Sequence, residues 1–534
     1  MAEHFIGIDV GTGSARAGVF DAGGTMVASA KADIRLWREA SDLAEQSSDD
    51  IWRAVCACVR EAVAKAGTSL ASVAGIGFDA TCSLVVLGDG GRPVTVSAAG
   101  NPERNIIVWM DRRAIDQARR INAISQRVLR YVGGTISPEM ETPKLLWLAE
   151  NMPSTFASAW QFFDLTDFLT WRCTGSLARS ACTVTCKWTY LAHERCWDEP
   201  YFRAVGLGSL ADEHFARIGT EIVPAGTSLE GGLTVDAAAE LGLEPGTPVA
   251  AGLIDAHAGG IGTVGARGGP GNVLTRMAYV FGTSACTMTT TGEPAFVQGV
   301  WGPYYSAMVP GLWLNEGGQS AAGAAIERLV HMHPASNEAE RNARELGLSL
   351  GAWLAEKAVE GGGSDAVERL VGALHVVPEF LGNRAPFADP HAKALVAGMG
   401  MDTGIGSLVG LYLAGLCGLG YGVQQIVDAQ RAAGITTEMI VISGSAGQSP
   451  LVRQVLADAT GLAVAASSSP EPVLLGSAIL AAVAVGRYAD VGTAMSAMSV
   501  LGDIRQPNPV VVAWHAKRFV AFQKLQALGR EVGR

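Results

Sequence analysis

The sequence predicts an α/β protein built from two lobes, and three observations lead to this fold class. The chain has 534 residues, which is too long for one hydrophobic core and fits two lobes of a few hundred residues each. Apolar residues make up 49% of the chain and charged residues 17%, as in a packed globule. A strand followed by a turn of glycine, threonine and serine occurs at Phe5–Ser14 and again at Met277–Ser284, which indicates a duplicated fold. The glycines and proline of 268–271 favour a boundary there, with lobes over residues 1–265 and 266–534.

The first strand and turn organise the chain. Phe5–Val10 alternates apolar with small or polar residues, as a strand with one buried face does, and a second strand covers Ala15–Phe20. Between them, Gly11, Thr12, Gly13 and Ser14 form a turn whose backbone N–H groups and hydroxyls can approach an anion. With Asp9 just before it, this turn is a candidate Mg²⁺–phosphate site; the alternative is an ordinary solvent-exposed hairpin. It is not a dinucleotide-binding fingerprint, because a strand rather than a helix follows the glycines.

Strand and helix patterns alternate through the rest of the first lobe. Apolar residues recur at helical spacing in some stretches, and β-branched or alternating residues mark others. The predicted helices are Asp49–Gly67, 109–124, Lys144–Asn151 and Asp164–Trp171, and the predicted strands are Val73–Phe78, Leu84–Leu87 and Ser180–Thr189.

One acidic residue in the middle of the chain is the best candidate general base. Asp255 lies among small residues, Gly252 to Gly260, which keep the backbone open to a ligand. The alternative is that Asp255 only caps a helix. His257 is a second candidate base, but the sequence offers it no obvious orienting partner, so Asp255 is favoured.

The second lobe repeats the phosphate-type turn and adds a glycine-rich loop. Gly282, Thr283 and Ser284 follow a strand, and two such turns facing each other across a cleft would clamp the phosphates of a nucleotide. The loop 444–448 lies between a strand at Glu438–Ile442 and a helix that begins at Pro450, with Ser449 as its N-cap. Its glycines admit a base or a phosphate, so it is the best candidate nucleotide loop. Further helices are predicted from Ala321, over Glu338–Val359 and over Val510–Leu528.

Composition limits the partners and the setting. The net charge of −11, without a basic stripe, argues against nucleic acid. Nine scattered cysteines favour reduced thiols and a cytoplasmic location, and Cys182 and Cys186 are interpreted as buried thiols rather than zinc ligands. Asp9 interrupts the apolar run near the start, so no signal peptide is expected. Gly404–Val423 carries no charge and is long enough to span a membrane, but its glycines and lack of basic flanks favour a buried helix, so no membrane partner is expected.

These motifs, taken in order, resemble the FGGY carbohydrate kinases from end to end. The resemblance rests on Asp9 with Gly-Thr-Gly-Ser, on Lys-Leu-Leu-Trp-Leu-Ala-Glu-Asn at 144–151, on Asp255, on Gly-Thr-Ser at 282–284 and on Gly-Ser-Ala-Gly-Gln-Ser at 444–449. Gly77–Thr81, Lys187-Trp188 and Asn315–Ser320 look most like the ribulokinase and D-ribulokinase branch. The resemblance implies a two-lobed, actin-like ATPase fold with a ribonuclease-H-type sheet in each lobe and a catalytic cleft between them. The loop departs from the family's frequent Gly-Gly-Gly-Ala form, with Ser443 and Ser445 in place of glycines.

The resemblance also implies roles for single residues, with ATP and Mg²⁺ as cofactors. Asp255 would be the general base, and Asp9 together with Asp255 would hold Mg²⁺. The sugar-contacting residues would be Ala80, Lys187, Asp255 and Glu316. The phosphate-binding residues would be Gly11, Thr12, Gly13, Ser14, Gly282, Thr283 and Ser284, and the adenosine-lining residues Gly444, Ser445, Gly447 and Gln448.

The activity expected from this resemblance is ATP-dependent phosphorylation of a pentulose, ribulose to ribulose 5-phosphate. Because the Lys187 ammonium only donates, it suits the carbonyl of a ketose better than an alditol. A kinase for xylulose or for a pentitol such as ribitol is the near alternative. Actin-like filaments and chaperone ATPases, which bind protein, are the alternative from another class, and a non-enzymatic sugar sensor is a third. A homodimer is a candidate assembly.

Overall fold

The computed structural model describes residues 3–40 and 42–533, without the side chains of Ser364, Asp365 and Ser445. Its first half contains strands β1–β11 and helices α1–α10. The strands are β1 His4–Val10, β2 Ser14–Asp21, β3 Met26–Asp33, β4 Glu45–Gln46, β5 Val73–Ala80, β6 Leu84–Gly88, β7 Ile106–Ile107, β8 Ala159–Asp164, β9 Arg179–Ser180, β10 Ile222–Val223 and β11 Leu253–Ile254. The helices are α1 Ser48–Ala66, α2 Ile115–Asn122, α3 Glu141–Asn151, α4 Pro153–Ser158, α5 Leu165–Thr174, α6 Ala181–Lys187, α7 Glu199–Ala204, α8 Gly208–Asp212, α9 Val235–Leu241 and α10 Asp255–Ile261.

The central sheet of the first lobe has the strand order β3-β2-β1-β5-β11. Strands β1, β2 and β3 are antiparallel neighbours, whereas β5 and β11 run parallel to β1. Helix α1 covers β2 and β3 with an apolar face that includes Ile51, Val55 and Val59. The polar ends of β1, β5 and β11 therefore meet at one edge of the sheet, where Asp9 pairs in register with Asp79.

The second half of the chain contains strands β12–β20 and helices α11–α19. The strands are β12 Arg276–Phe281, β13 Ala285–Thr291, β14 Trp301–Tyr305, β15 Trp313–Gln319, β16 His375–Val377, β17 Leu395–Ala397, β18 Met439–Ser443, β19 Ala463–Ser467 and β20 Leu501–Arg505. The helices are α11 Gly323–His331, α12 Ser336–Glu345, α13 Leu350–Glu360, α14 Val367–Val371, α15 Ile405–Ala432, α16 Pro450–Thr460, α17 Pro472–Ala484, α18 Val491–Met498 and α19 Pro509–Val532.

The sheet of the second lobe repeats the first. Its strand order is β14-β15-β13-β12-β18-β19-β20. Within it, β12, β13 and β15 are antiparallel neighbours, and β18 and β19 run parallel to β12. These five strands have the order and directions of the five in the first lobe, with β14 and β20 added at the edges. The prediction of one duplicated ribonuclease-H-type sheet in each lobe is confirmed.

Helix α17 ties the two halves of the chain together, because it packs on β1 and β5 of the first lobe. The packing is so close that side chains are excluded: a Cβ atom at Gly7 would lie 1.9 Å from the Leu474 carbonyl oxygen, and one at Gly77 would lie 2.1 Å from that of Ser477. The glycines of β1 and β5 therefore serve helix packing.

Most predicted elements are confirmed, and three predictions are corrected. The strand predicted at Ser180–Thr189 is mainly helix α6, because Ser180 caps it by accepting from the Cys182 N–H and the Thr183 hydroxyl donates to Asp167. The single helix predicted over 338–359 is two helices, since the chain turns at Gly347, with φ of 68°, and restarts at the Ser349 N-cap. The helix predicted from residue 109 begins at Ile115.

The apolar stretch after Gly404 forms α15, which runs further than predicted, to Ala432. Among the residues that the structure describes, α15 is the one helix long and apolar enough to cross a membrane, and 83% of its 18-residue apolar window is buried inside the protein. The core helix of a large protein passes the same test of length and composition. The prediction of a buried helix at this position is confirmed.

Candidate active site

A cavity of about 280 Å³ lies between the lobes at the polar edges of the two sheets. It collects many of the residues singled out in the sequence, from β1, α6, α10, β15 and the two turns. The predicted residues that line it are Asp9, Gly11, Thr12, Lys187, Asp255, Gly282, Thr283, Ser284 and Glu316. Gly13, Ser14 and Ala80 are not among the lining residues; Ala80 is fully buried at the end of β5, and its neighbours Thr81 and Cys82 line the cavity instead.

Asp9 belongs to a row of charged residues across the first sheet. Arg16, its partner on β2, donates from Nε to Asp9 Oδ2 at 2.9 Å, and Arg16 Nη1 donates to Glu471 Oε2 at 2.8 Å. Asp79, its partner on β5, accepts from the Ser477 hydroxyl at 2.6 Å, and its other oxygen has no partner within the described part of the chain. Burial, and then the neighbouring Asp9 carboxylate, raise the pKa of Asp79 well above its usual value.

Asp255 begins α10 and faces the cavity. The helix N-cap is Ile254, without a side-chain cap, and Asp255 Oδ1 accepts from the Ala256 N–H at 2.7 Å, so Asp255 is not the cap that the alternative interpretation required. Burial and the nearby charge of Asp9 raise the pKa of Asp255 to about 6. A carboxylate of that basicity suits removal of a proton from a hydroxyl near neutral pH.

The two turns are alike in construction. Gly11 N donates to the Ser14 carbonyl at 3.0 Å, and Gly282 N donates to the Ser284 carbonyl at 2.9 Å. The second turn is one residue shorter, and its carbonyls accept from the backbone at the start of α11. Both turns face the same cavity from opposite lobes, as the paired-turn prediction required.

Lys187 and Glu316 meet at Trp301. The Lys187 ammonium lies 4.9 Å from the centre of the Trp301 ring, and Trp301 is paired in register with Glu316 on β15. Burial opposes ionisation of Glu316, but the charges of Lys187 and His257 lower its pKa to about 2. The site therefore offers a cationic donor and an ionised acceptor side by side, an arrangement that suits the hydroxyl and carbonyl groups of a sugar.

His257 has partners on both ring nitrogens. Nδ1 lies 3.1 Å from the Cys182 sulfur, and Nε2 lies 3.4 Å from Glu316 Oε2. Burial opposes its charge, but Cys182 and then Glu316 raise the pKa of His257 to about 10. The fold thus supplies orienting partners that the sequence did not reveal, and a ring engaged on both sides is poorly placed to act as the base. Cys182 and Cys186 are buried and unbridged, as interpreted, but Cys182 is not an ordinary thiol: burial opposes its charge, whereas a hydrogen bond with Cys186 and the charge of His257 lower its pKa to about 5.

A second cavity, of about 1450 Å³, adjoins the first through Gly282 and Thr283, which line both. Helices α11 and α13 and the start of α16 form its walls, together with Ala446 and the predicted residue Gln448. Ser449 caps α16 by accepting from the Val452 N–H, as predicted. Gly444 and Gly447 do not line this cavity: a Cβ atom at Gly444, where φ is 94°, would lie 2.2 Å from the Phe281 carbonyl oxygen. The side chain of Ser445 lies outside the described residues.

Sequence reasoning missed several residues of the first cavity. They are Arg16, Thr81, Cys82, Trp109, Glu139, Cys286, Trp301 and Arg384. Arg16 could have been found, because a charged residue in a buried hairpin strand opposite Asp9 is unusual. Arg384 lies in an irregular loop, and nothing in its local pattern points to the cavity.

Comparisons with known proteins cover almost the whole chain. Residues 4–262 match the N-terminal domain of the FGGY family of carbohydrate kinases, and residues 277–485 match the C-terminal domain of that family. An FGGY carbohydrate kinase domain-containing protein of Homo sapiens is 43% identical over 532 residues, covering 98% of this chain and 96% of that protein.

Two further comparisons bear on function and fold. A D-ribulokinase of Saccharomyces cerevisiae is 36% identical over 516 residues, covering 90% of this chain and 72% of that protein. The crystal structure of xylulose kinase from Rhodospirillum rubrum superimposes with a TM-score of 0.78 at 22% identity, covering 99% of this chain and 100% of that one. The last comparison concerns the fold alone, the two-domain, actin-like ATPase type.

Proposed function

Because the chain belongs to the FGGY family of carbohydrate kinases, we propose that it is an ATP-dependent pentulose kinase that converts ribulose to ribulose 5-phosphate. The observation that carries the proposal is the meeting of Asp255, Lys187 and Glu316 in one cavity that opens onto the larger one through Gly282 and Thr283. Similarity to the yeast D-ribulokinase favours ribulose within the family.

The geometry suits transfer of a phosphoryl group between the two cavities. With ATP in the larger cavity, its terminal phosphate would reach the turns of Thr12 and Thr283, whose N–H groups and hydroxyls suit an anion. The sugar in the smaller cavity would lie against Asp255. As the sugar oxygen bonds to phosphorus, the bond from phosphorus to the ADP oxygen breaks and the hydroxyl proton passes to the Asp255 carboxylate.

Asp9 and Asp255 fit a role in holding Mg²⁺. The two carboxylates are close enough for Asp9 to raise the pKa of Asp255, and a divalent cation between them would relieve that repulsion. Within residues 3–40 and 42–533, no group of three or more His, Cys, Asp or Glu side chains is arranged to hold a metal. Mg²⁺ is usually bound by one or two carboxylates plus phosphate oxygens and water, so the two carboxylates of Asp9 and Asp255 would be enough to hold it. When bound, the ion would neutralise charge on the transferring phosphate.

Lys187 and Glu316 would orient the sugar, and closure of the two lobes would exclude water. The Lys187 ammonium would donate to the carbonyl oxygen and the Glu316 carboxylate would accept from a hydroxyl. Holding both reactants in line contributes roughly 7–11 kcal/mol toward the barrier of such a transfer. The cavity wall comes from both lobes, so the arrangement is complete only when they are together.

The test is ADP release by the purified chain with ATP, Mg²⁺ and one sugar at a time. The panel holds both enantiomers of ribulose, both enantiomers of xylulose, and ribitol. We expect one ribulose enantiomer to give the highest kcat/KM. The Asp255→Asn variant, prepared in parallel, should release ADP much more slowly, which would show that the activity belongs to this chain and not to a contaminant. A higher kcat/KM with xylulose or ribitol would replace ribulose as the substrate, and ADP release independent of sugar would contradict a kinase assignment.

A further inference from the structure

Arg384 brings a second cation to the sugar cavity, from the lobe opposite Lys187. Its guanidinium carbon lies 5.4 Å from the centre of the Trp301 ring, the same ring that the Lys187 ammonium approaches at 4.9 Å. Within the described part of the chain, Arg384 and Lys187 form no ion pair, and the one side-chain hydrogen bond of Arg384 goes to the Cys286 sulfur at 3.6 Å. Lys187, which is buried, and Arg384, which is half-buried, thus bring two cationic groups with unused donors to one cavity.

The loop that carries Arg384 is held rigidly from behind. Glu379 Oε1 accepts from Asn383 Nδ2 and from Gln526 Nε2 of α19, each at 2.6 Å. Asn383 Oδ1 accepts from the Phe387 N–H at 3.0 Å, and the backbones of Asn383 and Asp389 exchange hydrogen bonds at 2.8 and 2.9 Å. The residue next to Asn383 therefore presents its side chain from a fixed position, as a preorganised binding group does.

The chemistry of these groups limits the ligand. Arginine and lysine only donate hydrogen bonds, so this part of the cavity needs a ligand rich in acceptor oxygens. A guanidinium presents two parallel donors, which match two oxygens on neighbouring carbons, as in the hydroxyl and carbonyl at the end of a 2-ketose. An alditol lacks the carbonyl. A sugar acid offers a carboxylate, but the lining residues already include four carboxyl groups against three cations, so a further negative charge would be unmatched. The carboxyl groups are those of Asp9, Glu139, Asp255 and Glu316, and the cations are Arg16, Lys187 and Arg384.

We propose that Arg384, together with Lys187 across Trp301, recognises the hydroxyketone end of a neutral ketose and makes the site selective against alditols and sugar acids. This inference rests on the proposed function, since it specifies the substrate class of the same site. Arg384 would contact the sugar directly, as a specificity-determining residue contributed by the second lobe.

The experiment compares kcat/KM for ribulose, ribitol and ribonate in the wild type, Arg384→Met and Arg384→Lys. Arg530→Met is the matched control, because Arg530 stacks on Phe387 of the same loop at 4.1 Å and lies outside the cavity. For ribulose, Arg384→Met should lower kcat/KM roughly 10- to 100-fold, the usual loss of a charged hydrogen bond. The loss for ribitol should be smaller and the KM for ATP unchanged. Arg384→Lys keeps the positive charge but loses the two parallel donors of the guanidinium, so its kcat/KM for ribulose should lie between those of the wild type and Arg384→Met.

Several outcomes would overturn the proposal. Equal losses of kcat/KM for ribulose and ribitol, or equal losses in Arg384→Met and Arg530→Met, would make Arg384 a structural residue. A wild type that prefers ribonate would refute the charge argument.

If Arg384→Met does not fold, the comparison is made with Arg384→Lys. If the wild type turns over none of the three, the proposed function fails. Calorimetric binding of ribulose and ribitol to wild type and Arg384→Lys then decides the specificity claim, and no ribulose binding would refute it.

Discussion

The two central sheets share a strand order but differ in the residues that cross their polar edges. In the first lobe, Asp9 on β1 pairs in register with Arg16 on β2 and with Asp79 on β5, and all three are ionisable. In the second lobe, Val280 takes the position of Asp9, two residues before the glycine of its turn. Val280 pairs in register with Cys286 on β13 and with Ser443 on β18, so this row is neutral.

The difference shows that the backbone geometry of the turn is repeated in both lobes, whereas the acidic and basic side chains beside the turn occur in the first lobe only. The turns at Gly11 and Gly282 are both closed by a backbone hydrogen bond and both face the cleft. Either could approach a phosphate through N–H groups. Only the first lobe places carboxylates beside its turn, where a proton acceptor and a cation site require them, whereas the carboxylate from the second lobe, Glu316, lies opposite Trp301. We infer that the edge beside the first turn supplies the proton acceptor and the cation site, and that the edge beside the second turn is a neutral wall for an anionic nucleotide.

The largest effect is expected from Asp255, which completes the charged edge of the first lobe. Asp255→Asn keeps the shape and removes the basic oxygen, so kcat should fall by a factor on the order of 10²–10⁴. The affinity for ATP should stay nearly unchanged, because the carboxylate acts on the sugar hydroxyl. Initial rates of ADP release and ATP binding by calorimetry measure the two quantities. Normal turnover by the folded variant would refute the assignment of Asp255 as base.

The next effect compares the charged row with the neutral one. Asp9→Asn should lower kcat roughly 10²-fold, because a cation that stabilises transition-state charge is worth several kcal/mol. The variant should also need more Mg²⁺ for half-maximal activity. Ser443→Ala is the matched change in the neutral row: its hydroxyl is buried without a partner in the described chain, and activity should hold. If both variants respond alike to a Mg²⁺ titration, the two rows do not differ as inferred.

The third effect concerns Lys187, which the first lobe directs at Trp301. Lys187→Met should reduce the preference for ribulose over ribitol by about 10-fold, since a lost hydrogen bond to a charged donor costs the ketose and not the alditol. The KM for ATP should not change. The measurement is the ratio of kcat/KM for the two sugars in wild type and variant. Identical ratios would exclude Lys187 from sugar recognition, and a wild type that prefers ribitol would contradict the pentulose proposal.

Much of this comparison was predictable from the sequence, and the rest was not for physical reasons. Both hairpins follow from strand alternation and glycine turns, which are local signals. Helix α6 was mistaken for a strand because its β-branched residues favour strands, whereas its cap at Ser180 and the bond from Thr183 to Asp167 depend on tertiary contacts. Arg384 was missed because its position depends on a loop held by Gln526, far along the chain.

Two of the buried histidines, His257 in the first lobe and His515 in the second, differ from each other as the two sheet edges do. In the first lobe, His257 lies between Cys182 and Glu316, whose charges raise its pKa to about 10 against the effect of burial. In the second lobe, the described partner of His515 is the Tyr421 hydroxyl, at 2.9 Å from Nδ1. Burial, and then the positive charge of Arg518, lower the pKa of His515 to about 4. One histidine is therefore stabilised in its charged form and the other in its neutral form.

The smallest effect follows from His515 and concerns stability. The pKa of a histidine in the unfolded chain is near 6.5, whereas the pKa of His515 in the folded protein is about 4. Between these two pH values the unfolded state therefore binds a proton at this position and the folded state does not. Its contribution to stability is therefore complete above pH 6.5 and is lost as the pH falls. Between pH 7.5 and 5.5 the loss amounts to about 1 kcal/mol.

His515→Asn keeps a hydrogen-bonding atom near Nδ1 but does not titrate, so its unfolding temperature should fall less than that of the wild type over this range. Comparing the change with pH, rather than the absolute temperatures, cancels any packing cost of the substitution. His257 remains protonated in the folded state throughout this range in both proteins, and so cancels too. Equal pH dependence in the two proteins would show that His515 is not held neutral, and the contrast between the two histidines would fail.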